Sequence, residues 1–85
     1  MEISINIPNF NENHGLRFEW EDGFEIKTSI SNGVIILSAN KEGLISLAKQ
    51  LLTLAQENVP IGHHMHYDDY NSLDENSKEL IIEKI

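Results

Sequence analysis

The sequence predicts an α+β fold: a mostly antiparallel sheet of about six strands, in the order β-β-β-β-α-β-β, with one helix packed across one face. Three observations predict it. Apolar and polar residues alternate with period two in several short segments separated by turn residues. One segment, from Lys41 to about Glu57, has the three-four apolar spacing of a helix. With 85 residues and 40% hydrophobic content, the chain fits one domain, residues 1–85, with one modest core.

The first strand is read from "EISINI", where Ile3, Ile5 and Ile7 share a face and Ser4 and Asn6 the other, and Pro8 ends it. The asparagine-rich "NFNENHG" follows as a loop. "LRFEWEDGFEIKTSI" then reads as a hairpin. A three-residue loop, Glu21-Asp22-Gly23, sets Trp20 opposite Phe24 and Phe18 opposite Ile26, keeping the apolar sets on one face with Gly23 left-handed. The same register places Glu19 opposite Glu25 and Arg17 opposite Lys27, which makes the outer face charged. Asn32-Gly33 supplies a second hairpin turn, and "VIILS" beyond it is apolar on both faces, as in a central strand or one covered by a partner.

Asn40 is the expected helix N-cap, with Glu42 at the positive end of the dipole. The expected buried stripe is Leu44, Leu47, Ala48, Leu51, Leu54 and Ala55. Asn58 and Pro60 close the helix. "IGHHMHYDD" and "KELIIEKI" complete the strands, joined by "YNSLDENS".

Charge and motifs narrow the function. Six basic residues stand against fourteen acidic ones, a net charge of −8 that repels nucleic acid and anionic membranes and attracts a basic protein surface. There is no cysteine, no glycine-rich phosphate loop and no Gly-x-Ser-x-Gly elbow. Asp68 and Asp69 are adjacent and face opposite ways on a strand, so they do not form a catalytic carboxylate pair. The reading is therefore a non-enzyme that needs no cofactor. The N-terminus lacks the basic start and apolar run of a secretory signal, and "VIIL" is far short of the ~20 residues of a membrane span, so a cytoplasmic location is expected.

"GHHMHYDDY" is the most unusual stretch. On a strand, His64, His66 and Asp68 point one way and His63, Met65 and Tyr67 the other. His-x-His-x-Asp on one face is an alternative metal site, with His14 as a further candidate ligand, but ligands from a single strand are nearly collinear and tetrahedral zinc needs a second direction.

The segments "ANKEGLISLAKQLLTLA", "VPIGHHMHYDDYNSL" and "SKELIIEKI" together resemble the immunity protein family numbered thirty-two of bacterial polymorphic toxin systems. The resemblance covers roughly the C-terminal half. It implies a small cytoplasmic α+β protein that protects its producer by binding the toxin encoded beside it, and it supplies no catalytic residues. An acidic surface suits a basic toxin. The candidate contacts are Glu19, Glu25, His64, His66, Tyr67, Asp68, Asp69 and Tyr70. A homodimer through the edge strand "KELIIEKI" is a further candidate association.

Overall fold

The computed structural model describes all residues, Met1–Ile85. Its elements are β1 (Ile26–Ser31), β2 (Val34–Ala39), α1 (Lys41–Leu54), β3 (His64–Tyr67) and β4 (Leu80–Glu83). β1 pairs with β2 and β3 with β4, both antiparallel, as two separate two-stranded sheets. The α+β class with one helix and antiparallel pairing stands, and the expectation of about six strands in one sheet is corrected to four in two.

The missing strands are the two read from residues 2–20, and from Pro8 to Glu21 the helix supplies other partners for the chain. Polar side chains of α1 and its exit take the backbone groups that a strand ladder would have used. Gln56 accepts from Phe10 N at 3.2 Å and donates to the Pro8 carbonyl at 2.9 Å. Gln50 donates to the Glu19 carbonyl at 3.1 Å, and Ser46 Oγ accepts from Glu21 N at 2.8 Å. The N-terminal segment therefore lies against the helix as irregular chain, and Phe10, expected in a loop, joins the core. Ile26 pairs with Ala39 and not with Phe18. One part of the expected first hairpin survives: Gly23 has φ +80°, and the Trp20 and Phe24 rings stack at 4.4 Å.

The second hairpin forms as read. Asn32 (φ 51°) and Gly33 (φ 77°) make the two-residue turn, and Ser31 faces Val34. β1 is bordered on its other side by the segment entering β4, through Asp74 N to the Ile26 carbonyl at 2.8 Å and Lys78 N to the Thr28 carbonyl at 3.2 Å. β2 has no strand on its outer side. It is an edge, and the expectation of a central strand is corrected.

α1 begins as expected, with Asn40 Oδ1 accepting from Gly43 N at 2.8 Å. Asn40 also ties the helix to the sheet, since its Oδ1 accepts from Glu25 N at 3.0 Å and its own N donates to the Glu25 carbonyl at 3.1 Å. The buried face is Gly43, Ser46, Leu47, Gln50, Thr53 and Leu54. This corrects the leucine stripe: Leu44 and Leu51 are exposed, as is Leu52. The cause lies at Gly43, where an added Cβ would stand 2.5 Å from the Glu25 carbonyl oxygen and 2.9 Å from Ile26 Cγ1. Only a residue without a side chain admits this approach, and it fixes the rotation of the helix. At the other end no basic residue lies in the last turn, but Lys84 supplies the missing cation from beyond β4, donating to the Gln56 and Val59 carbonyls at 2.6 and 2.8 Å.

The core is Phe10, Ile26, Leu47, Leu54, Val59, Met65, Tyr67 and Leu73. It leaves much apolar surface open, and the radius of gyration of 13.5 Å exceeds the roughly 12 Å typical of a compact chain of this length.

Gly43→Ala tests the close approach. Helix propensity alone favours Ala by about 1 kcal/mol, whereas the clash with Glu25 and Ile26 is of the overpacking kind that costs about 1–3 kcal/mol or more. We expect a net loss of stability in urea denaturation. A raised midpoint would contradict the packing described.

Candidate functional site

β3 alternates strictly. Met65 and Tyr67 face the core, and His64 and His66 face outward. His63, just before the strand, lies edge-on to Phe10 at 5.5 Å between ring centroids. The outward row continues across the ladder, where His64 opposes Glu83 and His66 opposes Ile81. Glu79 lies two residues before Ile81, within diagonal reach of His66. His66 Nε2 contacts Glu79 Oε1 and lies 3.8 Å from Asp68 Oδ2.

After β3 the chain turns sharply around Asp68. Its Oδ1 accepts from the backbone N–H groups of Tyr70 at 2.9 Å and Asn71 at 3.0 Å, and its carbonyl accepts from Ser72 and Leu73. Asn71 closes the turn, accepting from Asp68 N at 3.1 Å and donating to the His66 carbonyl at 3.0 Å. This is an Asx-type turn that holds the local backbone without help from a sheet. It sends Leu73 into the core and leaves Tyr70 96% exposed.

An open hollow of about 340 Å³ lies here, lined by Asp68, Asp69, Tyr70, Ser77, Lys78 and Glu79. Lys78 and Glu79 also border a neighbouring apolar groove of about 210 Å³ that includes Ile30, Ile35, Leu37 and Ile81. The arrangement is an acidic shelf carrying one fully presented tyrosine. A larger hollow of about 610 Å³ lies elsewhere, between Ile3–Asn6 and the start of α1, with mixed charge from Glu21, Asp22, Lys41, Glu42 and Lys49.

The candidate residues divide on this map. His66, Asp68, Asp69 and Tyr70 come together. Glu19 does not join them, being paired with Lys49 at 2.6 Å, and Glu25 sits at the helix N-cap. His64 faces outward toward the far end of the ladder, beside Glu83. Tyr67 is corrected as a contact residue. It is 2% exposed, and its hydroxyl donates to Gln50 Oε1 at 2.6 Å inside the core, with its ring edge-on to Trp20. Gln50, itself 1% exposed, joins β3, the helix and Glu19. Burial pushes the Tyr67 phenol up from 10.0 to about 12.

The metal reading of His64, His66 and Asp68 is also corrected. No group of three or more His, Asp or Glu side chains is placed to hold an ion. Asp68 is turned into its own loop, His66 is engaged by Glu79, and His64 lies at the other end of the strand. Glu79 is the shelf residue that sequence reading passed over. Its parity with Ile81 was visible, but its place beside His66 depends on a strand register that the sequence leaves open.

Residues 34–85, which take in β2, α1, β3, β4 and the whole shelf, match the family model described as Immunity protein 32. The chain belongs to this family. No curated protein and no solved structure gives a match. The match confirms the family that the C-terminal motifs resemble and extends it upstream to the first residue of β2.

The buried Tyr67 gives a pH test. Its folded value lies above its ordinary one, so its contribution to stability is complete below pH 10 and is lost as pH rises through about 12. We expect urea stability of the wild-type chain to fall more steeply over that interval than that of Tyr67→Phe, although Tyr67→Phe starts lower at neutral pH for want of the Gln50 bond. Parallel curves would contradict the burial.

Proposed function

We propose that this chain neutralises a cognate bacterial toxin by direct, non-catalytic binding, and that the shelf formed by Asp69, Tyr70 and Glu79, with His66 and Asp68 behind it, is the contact surface. Family membership supports a toxin as partner. The observation that carries the choice of surface is Tyr70, held 96% exposed by a turn whose backbone is tied down on both sides. A large amphipathic side chain presented on a preorganised loop loses little entropy on docking, and tyrosine is among the residues that dominate binding energy at interfaces.

The surrounding charge suits a basic partner. Asp69 and Glu79 stand beside Tyr70, and the chain as a whole carries −8. That field speeds the encounter with a cationic surface and discriminates against acidic ones. Inhibition then follows from occlusion of the toxin, in the cytoplasm of the producing cell, with no cofactor. No helix is long and apolar enough to cross a membrane.

The experiment is a binding measurement with the toxin encoded beside this chain. Tyr70→Ala should weaken the complex by about thirtyfold, the scale of a hot-spot truncation of about 2 kcal/mol. Asp69→Lys should act mainly on the association rate, and that rate should fall as salt is raised. Absence of binding at low salt would overturn the reading. Unchanged affinity in both variants would move the contact surface elsewhere.

A further inference from the structure

We propose that the open edge of β2 is a self-association site, at which a second copy of this chain adds its own β2 antiparallel across a two-fold axis. β2 is hydrogen-bonded to β1 on one side only, and the far side of β1 is taken by the segment entering β4. The two-residue turn makes Ser31 and Val34 the first hydrogen-bonded pair of the hairpin. By alternation, Val34, Ile36 and Ser38 direct their backbone groups toward β1, and Ile35 and Leu37 direct theirs outward.

Those outward groups define a register. Pairing Ile35 with Leu37 of the second copy satisfies both outward sets in each chain and puts Ile36 opposite its own symmetry mate. The interface is isologous, as a closed dimer requires.

The side chains agree. Val34, Ile35, Ile36 and Leu37 are 39–73% exposed, an apolar rim on both faces of an edge strand. Ile30 and Ile81 of the adjoining groove, 59% and 57% exposed, extend this apolar surface, and contiguous apolar surface of this kind marks an interaction site. Edge strands that stay unpaired are usually guarded by charge or proline. β2 has neither.

Charge decides the occupant. From Thr28 through Asn40 the chain has no ionisable side chain, although its net charge is −8. Two copies meet along the strand itself without like-charge repulsion, and the charged groups that border its groove, Lys78 and Glu79, are one of each sign, which offers a basic partner no net charge to pair with. β4, within "KELIIEKI", carries Glu83 and is flanked by Glu79 and Lys84, and it lacks this neutrality.

The chain has no cysteine, which permits a direct test. At a non-hydrogen-bonded antiparallel pair the Cα atoms lie about 4.5 Å apart, within disulfide range. Mild oxidation of Ile36→Cys should therefore give a covalent dimer, whereas Ser29→Cys, one strand further in, should remain monomeric. Sedimentation equilibrium of the wild-type chain from micromolar to near-millimolar concentration should show reversible dimers. Ile36→Lys, with its fold confirmed by circular dichroism, should abolish them, and Tyr70→Ala should leave them intact. A wild-type chain that stays monomeric throughout, or equal cross-linking at positions 29 and 36, overturns the proposal. So does an Ile36→Lys variant that loses toxin affinity without any change in mass, because the edge would then belong to the toxin.

Discussion

The contact on which the rest of this structure depends is the approach of the helix to the β1–β2 hairpin at Gly43. With a hypothetical Cβ only 2.5 Å from the Glu25 carbonyl, the backbone of α1 meets the chain entering β1 with no side chain between them. Asn40 reinforces the contact by bonding at once to the helix amide of Gly43 and to Glu25. Once the helix is held there, its rotation is set, and the residues facing inward are Ser46, Gln50 and Thr53 as well as Leu47 and Leu54. A buried polar face needs partners. Ser46 and Gln50 find theirs in the backbone of the N-terminal segment and in Tyr67, while Thr53 bonds back to the Lys49 carbonyl. No buried side-chain polar atom lacks a hydrogen bond.

This constraint also explains which features could be read from the sequence. The Asn32-Gly33 turn, the Asn40 cap and the alternation of β3 are local, and all three formed as read. The leucine stripe was misleading because two faces of the helix share Leu47 and Leu54, and apolar spacing favoured the one that adds Leu44 and Leu51. The choice between them depends on a close packing contact 17 or more residues away in sequence, where only a glycine fits. The strand count failed for a related reason. Alternation in "LRFEW" says which side chains would share a face, but a strand exists only if a ladder partner exists, and Gln50 and Ser46 of the helix hold the backbone of Glu19 and Glu21 instead.

At the shelf, neighbouring residues of like chemistry take opposite roles. Tyr67 is core and Tyr70 is surface. Asp68 spends its carboxylate on the turn that holds Tyr70 out, while Asp69 makes no such bond and stands on the hollow. Counting acids in the sequence could not separate these roles, since they are decided by the point at which β3 ends and the chain turns. The result is a surface in two parts, an acidic shelf with an exposed tyrosine and an uncharged apolar edge at β2, on either side of the groove that Lys78 and Glu79 border.

The most direct test of this division is hydrogen–deuterium exchange of the chain, alone and with its toxin, at a concentration where self-association is saturated. The account predicts that the toxin slows exchange across Asp69–Glu79 and leaves the outward amides of Ile35 and Leu37 as they were. Protection confined to β2, or to the exposed leucines of the helix, would contradict it.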